Sequence, residues 1–244
     1  MGVSNKLDQL HLEAQGNRWL HYFAIFNRVA LAAGFITSAM VKIMGHRFAS
    51  GLSANHPMGH YLEALHHTGY YYTFIGIVQV TAAILLLIPR TVILGALIYF
   101  PVILNICILS FAVRFEGSIL TTPLMVLADL FLICWKYDKI KYILPINHST
   151  IARNRSGEKK LDNRFPGKFF LAVFATVMVL VLAIRFGFDV MPRNSLKDCT
   201  AQFKGTNRTK AGAKFCDCIH IQGQPLDKSL AEYEKAPDNS TPAR

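Results

Sequence analysis

Residues Tyr71 to Val113 read YYTFIGIVQVTAAILLLIPRTVILGALIYFPVILNICILSFAV. Two apolar runs, Tyr71 to Ile88 and Val92 to Val113, hinge on Pro89-Arg90-Thr91. At about 1.5 Å rise per residue each run covers the ~30 Å hydrocarbon core of a bilayer. The hinge is too short for anything except an antiparallel helix hairpin. Inside lipid a backbone amide must find its partner within its own segment, so this stretch commits the chain to helices.

Three further runs of the same kind flank the hairpin: Leu20 to Met44, Ile119 to Trp135 and Phe169 to Val190. The expected fold is therefore all-α, a polytopic membrane helical bundle with a four-helix antiparallel core plus a fifth transmembrane helix. Composition agrees, with 52% hydrophobic and 17% charged residues and a mean hydropathy of +0.30. The apolar residues come in blocks, where a water-soluble domain would scatter them amphipathically. The formal net charge of +11 sits mainly in linker and tail flanking the spans. That distribution points to the lipid bilayer as partner and not to nucleic acid.

Lys6, Arg18, Arg90, Lys136, Lys139, Lys141, Arg153, Arg155, Lys159, Lys160, Arg164 and Lys168 fall on one side, whereas the short loops opposite carry only Arg47 and Arg114. Positive charge near span ends marks the cytoplasmic side, so the N-terminus is expected inside and the C-terminus outside. The first 18 residues are polar and lack the pattern of a secretory signal peptide.

Five segments follow. Residues 1–19 form a cytoplasmic amphipathic segment, with Leu7, Leu10 and Leu12 set against Lys6, Asp8 and Glu13. Residues 20–144 are the four-helix membrane domain, 145–167 a basic cytoplasmic linker, 168–190 the fifth span and 191–244 an outer, cysteine-containing tail. The tail has too few apolar residues for a sizeable core, and its end at 237–242 reads as disordered. A short outer helix begins at Asn55-His56-Pro57, since proline suits a first helical turn. Kinks are expected at Pro101 and Pro123.

Four polar side chains stand inside the first four spans: Arg28, Gln79, Asn105 and Asp129. Counted inward at ~1.5 Å per residue, all four lie roughly 12–18 Å below the outer boundary. A charge at that depth costs at least ~2.5–3.5 kcal/mol unless paired, so the expectation is a polar layer facing the bundle interior. In it Arg28 and Asp129 form an ion pair and Gln79 and Asn105 complete its hydrogen bonds. Such a layer is either a site for a quinone headgroup, a proton or a small solute, or glue between helices. Lys42 and Arg185, near outer ends, read as snorkelling residues.

His56 and His60 stand at i, i+4, a spacing able to chelate a transition metal, but no cysteine lies nearby and an interfacial role reads better. Cys107 and Cys134 differ too much in depth for a disulfide. Cys199, Cys216 and Cys218 share the outer tail, where Cys199 paired with Cys216 or Cys218 would close a loop, leaving one thiol over. No phosphate loop, catalytic triad, haem motif or dinucleotide fingerprint is present.

The stretch Arg28-Val29-Ala30-Leu31-Ala32-Ala33-Gly34-Phe35, ending in Lys42, resembles the first span of DoxX-like proteins. So do Gly76-Ile77-Val78-Gln79-Val80 running to Pro89-Arg90, Gly95-Ala96 with Pro101 and Asn105, and Trp135-Lys136-Tyr137-Asp138. The likeness covers residues 24–144. It implies a four-helix inner-membrane protein, some relatives of which look like membrane subunits of quinone-linked sulfur or thiol oxidation systems. Many members carry Glu where Gln79 stands, a departure that removes a titratable group.

The expected function is thus a membrane subunit of a quinone/thiol-linked redox system in a bacterial inner membrane, with quinone as its candidate cofactor and a membrane or periplasmic protein as partner. A non-catalytic assembly or chaperone-like scaffold, recognising its partner through the tail, is the alternative. A small-solute transporter fits less well, since no inverted repeat is visible.

Overall fold

The computed structural model describes residues 11, 13–140 and 162–239, and among them every regular element is helical. We number the helices α1 (Arg18–Ile43), α2 (Pro57–His66), α3 (Tyr70–Leu87), α4 (Val92–Ala112), α5 (Thr121–Trp135), α6 (Gly167–Gly187), α7 (Leu196–Ala201), α8 (Thr209–His220) and α9 (Leu226–Lys235). The chain is a multi-pass membrane protein. Helices α1, α3, α4 and α6 are long and apolar enough to span a bilayer. The fourth expected span is shorter: α5 has 15 residues, roughly 22 Å of helix. Helical hydrogen bonds from Ile119 N–H to Phe115 and from Thr122 N–H to Ser118 lengthen it by a turn.

Local sequence sets the helix ends. The Asn17 side chain accepts from the amides of Trp19 and Leu20 and starts α1. The same helix stops at Gly45, whose φ of +72° suits a residue without a Cβ. Around that glycine His46 N–H reaches Val41 O and Gly45 N–H reaches Lys42 O, satisfying carbonyls that would otherwise end bare. Pro123 is the third residue of α5, a first-turn position that proline tolerates. Pro101 is inside α4.

Helices α1, α3, α4 and α5 enclose one core. Each turns a stripe of period three or four inward, such as Leu20, Ala24, Asn27, Leu31, Phe35 and Ala39 on α1. Close approach needs small residues: a Cβ on Gly95 would come within 2.6 Å of the Leu86 amide nitrogen, and one on Gly76 within 3.0 Å of Ala39 O. Helix α6 stands apart, with no buried residue. It is held near its ends, Phe169 against Phe23 and Phe131 and the following Phe188 against Phe111 and Arg114.

We call the end of the bundle where α1 starts the near end and the other the far end. At the near end Asp162 exchanges backbone hydrogen bonds with Gly16 and Arg18. The expected amphipathic helix over residues 4–18 falls mostly, and the middle of the expected linker wholly, outside the described residues.

The tail departs from expectation. Residues 190–239 fold into a domain of α7, α8 and α9 around Val190, Cys199, Phe203, Phe215, Cys216, Ile219 and Leu226. Its core is small, and a disulfide between Cys199 and Cys216, with Cα atoms 5.8 Å apart, supplements it as small domains require. Cys218 stays a free, buried thiol, its Sγ 4.0 Å from Glu232 Oε2. The 237–239 segment is ordered by Arg208–Asp238 at 3.1 Å and by Asn239 N–H bonded to Asn207 O; residues 240–242 lie outside the described residues.

Removing the bridge in Cys199→Ser/Cys216→Ser reopens a 17-residue loop, which costs about 3 kcal/mol. Hydrogen exchange is expected to rise throughout α7–α9 while α1, α3, α4 and α5 keep their protection; equal loss in the bundle would refute a separate tail core.

Candidate intramembrane site

The inward stripes decide which polar residues meet. Gln79 falls in line with Tyr72, Gly76, Ala83 and Leu86 on α3, and Asp129 with Thr122, Leu132 and Trp135 on α5. Both are sealed, at 1% and 0% exposure. Tyr99 follows Val92 and Ala96 and precedes Ile103 on α4. Its ring stacks on Phe35 at 3.5 Å and its hydroxyl donates to Leu31 O at 3.3 Å.

Asn105 does not join them. The inward stripe of α4 continues through Ile103, Cys107 and Ser110, leaving Asn105 on the exposed face. The expected Arg28–Asp129 ion pair is absent too. Arg28 is only half-buried and turns to α3, where Nε donates to Leu86 O at 2.7 Å and Nη2 to Leu87 O. Helix C-termini present unsatisfied carbonyls and partial negative charge, and a cation there relieves both. Arg28 therefore caps a neighbouring helix within the membrane domain, which is how its charge is accommodated. Lys42 likewise does not snorkel: its Nζ donates to Ser38 O at 3.0 Å and sits over the Phe48 ring. Arg185 is exposed.

One member was not anticipated. Asn27 occupies the α1 stripe between Ala24 and Leu31, 5% exposed, and its spacing from Leu20, Ala24 and Leu31 is the signal that finds it. Helix register places the group in depth. Gly34 faces Met125 and His21 faces Trp135, so Asp129 stands opposite Val29–Ala30, within roughly one turn of Asn27 and near the middle of α1. Gly76 backs on Ala39 and Lys42, which sets Gln79 opposite Ile36, roughly 10 Å nearer the far end. The four polar groups thus form a short column, not a single layer.

Three of the four keep unpartnered atoms. Neither carboxyl oxygen of Asp129 has a hydrogen-bond partner, nor does Gln79 Oε1 or Asn27 Nδ2. Glue between helices would show these groups bonded to one another. Free donors and acceptors around a carboxyl instead fit a proton or a small hydrogen-bonding headgroup.

His56 and His60 do not converge either. His60 is exposed, while His56 is sealed under the tail as the cap of α2, its Nδ1 accepting Met58 N–H at 3.1 Å. The described residues contain no cluster of three His, Cys, Asp or Glu able to hold a metal ion. His56 instead belongs to a clamp between the tail domain and the far-end loops. Asn55 Nδ2 donates to the carbonyls of His220 and Ile221 at 3.0 Å. Arg193 pairs with Glu116 at 2.7 Å, and Arg114 donates to Val190 O. The His56 and His220 rings are 5.9 Å apart, and His220 Nε2 lies 2.8 Å from Pro192 O.

No known family model matches the chain, and no solved structure matches it. A segment of 57 residues is 46% identical to the Bacillus subtilis (strain 168) protein named uncharacterised protein YwoB. The match covers 23% of this chain and 37% of that relative.

Two outcomes test this geometry. Asp129→Leu is expected to raise the unfolding temperature of detergent-purified protein, because removing an unpaired buried polar group stabilises by about 1–3 kcal/mol. A fall of that size would identify Asp129 as glue. At the clamp, burial and the neighbouring His220 hold His56 down to about 4 from its ordinary 6.5, against the Arg193 carbonyl, which favours the charged form. The undocked ring then takes up protons that the docked ring refuses, so docking is full above pH 6.5 and weakens as pH falls toward 4. Amide exchange at Met58 is expected to accelerate over that window and to lose the dependence in His56→Asn, which keeps a capping side chain.

Proposed function

We propose that this protein is a membrane subunit of a redox system linking thiol oxidation to a lipid-soluble quinone, as the resemblance to DoxX-like proteins implies. The observation that carries the reading is Asp129, sealed inside the membrane domain with both oxygens unpartnered. A protonated carboxyl supplies a donor that a quinone carbonyl requires, and the unpartnered Nδ2 of Asn27 offers a second. In balance, two thiols become a disulfide while quinone takes up two electrons and two protons to become quinol. The thiols belong to a partner protein, since Cys199 and Cys216 are bonded to each other and Cys218 is buried.

On this reading the protein sits in a bacterial inner membrane, with the lysine- and arginine-rich near end in the cytoplasm and the tail domain in the periplasm. A disulfide in the tail agrees with an oxidising compartment. The second reading, a scaffold without catalysis, is favoured by one observation: the tail is a folded domain clamped to the bundle, a surface built to be held in place.

Gentle purification into nanodiscs, followed by lipid extraction, separates the two. Wild-type protein is expected to retain quinone, and Asp129→Asn to bind it about tenfold more weakly, the loss of roughly one hydrogen bond. Equal quinone in both samples, with a co-purifying protein lost on deleting residues 191–244, would leave the scaffold.

A further inference from the structure

Asp129 is the only carboxyl in any of the membrane-domain helices α1, α3, α4, α5 and α6. No cation answers it. Arg28 is spent on the Leu86 and Leu87 carbonyls and Lys42 on the Ser38 carbonyl, while the polar groups that α3 and α4 turn inward, Tyr72, Gln79, Tyr99 and Ser110, are all neutral. A bare carboxylate in hydrocarbon costs several kcal/mol, and a proton is the smallest group that removes the charge.

The surroundings of Asp129 are not symmetric along the bundle axis. Toward the far end the Tyr99 hydroxyl is tied to Leu31 O, and the next unpartnered group, Gln79, is roughly 10 Å away. Toward the near end Asn27, with its own unpartnered Nδ2, lies within roughly one turn. Below Asn27 the α1 stripe continues through Ala24 to Leu20, and beside Leu20 stands His21, half-buried against Trp135 with its Nε2 3.0 Å from Gln15 O.

We propose that Asp129 is a proton-loading group served from the near end through Asn27 and His21. The path carries the proton from the near-end solvent to the buried carboxyl, and Gln79 takes no part in it. Asn27 is a positioning residue that holds relay water and does not itself titrate. The inference deepens the reading of this same site, and its test uses no quinone, so either can fail alone.

The test is infrared spectroscopy of the full chain in lipid nanodiscs at neutral pH. A protonated-carboxyl band is expected in wild type and absent in Asp129→Asn. After transfer to D₂O its shift reports how fast the proton exchanges. Asn27→Leu is expected to slow that exchange by roughly a hundredfold, the scale of one positioned proton-transfer group. Asn27→Ser, which keeps a hydroxyl in the path, restores it, and Gln79→Leu leaves it unchanged. The Asn27→Ser arm also separates a blocked path from a damaged fold. Absence of the band in wild type would overturn the proposal. So would slowing by Gln79→Leu instead, or equal exchange in all variants.

Discussion

Hydrocarbon cannot solvate a polar group, and nearly every feature of the membrane domain answers that constraint. Small residues at Gly76 and Gly95 bring helix backbones together so that dispersion replaces the absent hydrophobic drive between helices. Arg28 donates to carbonyls left over at the end of α3, converting two liabilities into one interaction. Lys42 folds back onto Ser38 O and an aromatic face. Against that thrift the free atoms of Asn27, Gln79 and Asp129 stand out as the places where the constraint is left unmet.

The tail obeys a different medium. Its three helices lie beyond the membrane and bury a core too small to hold alone, which the Cys199–Cys216 bridge completes. Three backbone carbonyls, His220, Ile221 and Val190, take part in fixing it to the far end. Carbonyl acceptors are indifferent to side-chain identity, so the clamp leaves little trace in composition. It also seals His56, so a residue in a solvent-facing loop of the sequence becomes one of the driest in the molecule.

The helices and their order were legible because apolar runs of membrane length admit one solution. The tail domain was not, because its core is assembled from residues far apart in sequence and depends on a covalent bond. For the site, Gln79 and Asp129 were legible as polar residues within spans. The direction of each side chain was a matter of period. Asn105 stands two positions from both Ile103 and Cys107, off the inward stripe, whereas Asn27 stands on its own stripe but is overshadowed by the charge of Arg28 beside it. Depth alone placed Arg28 next to Asp129; the stripe and the nearby end of α3 draw it away.

A bundle meant only to persist would do better with leucine at position 129. An ion pair would at least have offset part of the burial cost, yet the only arginine in α1 deep enough to pair is committed to α3. The carboxyl therefore persists against the packing logic that governs its neighbours, sealed and without a hydrogen-bond partner in a core where every other charge has found one.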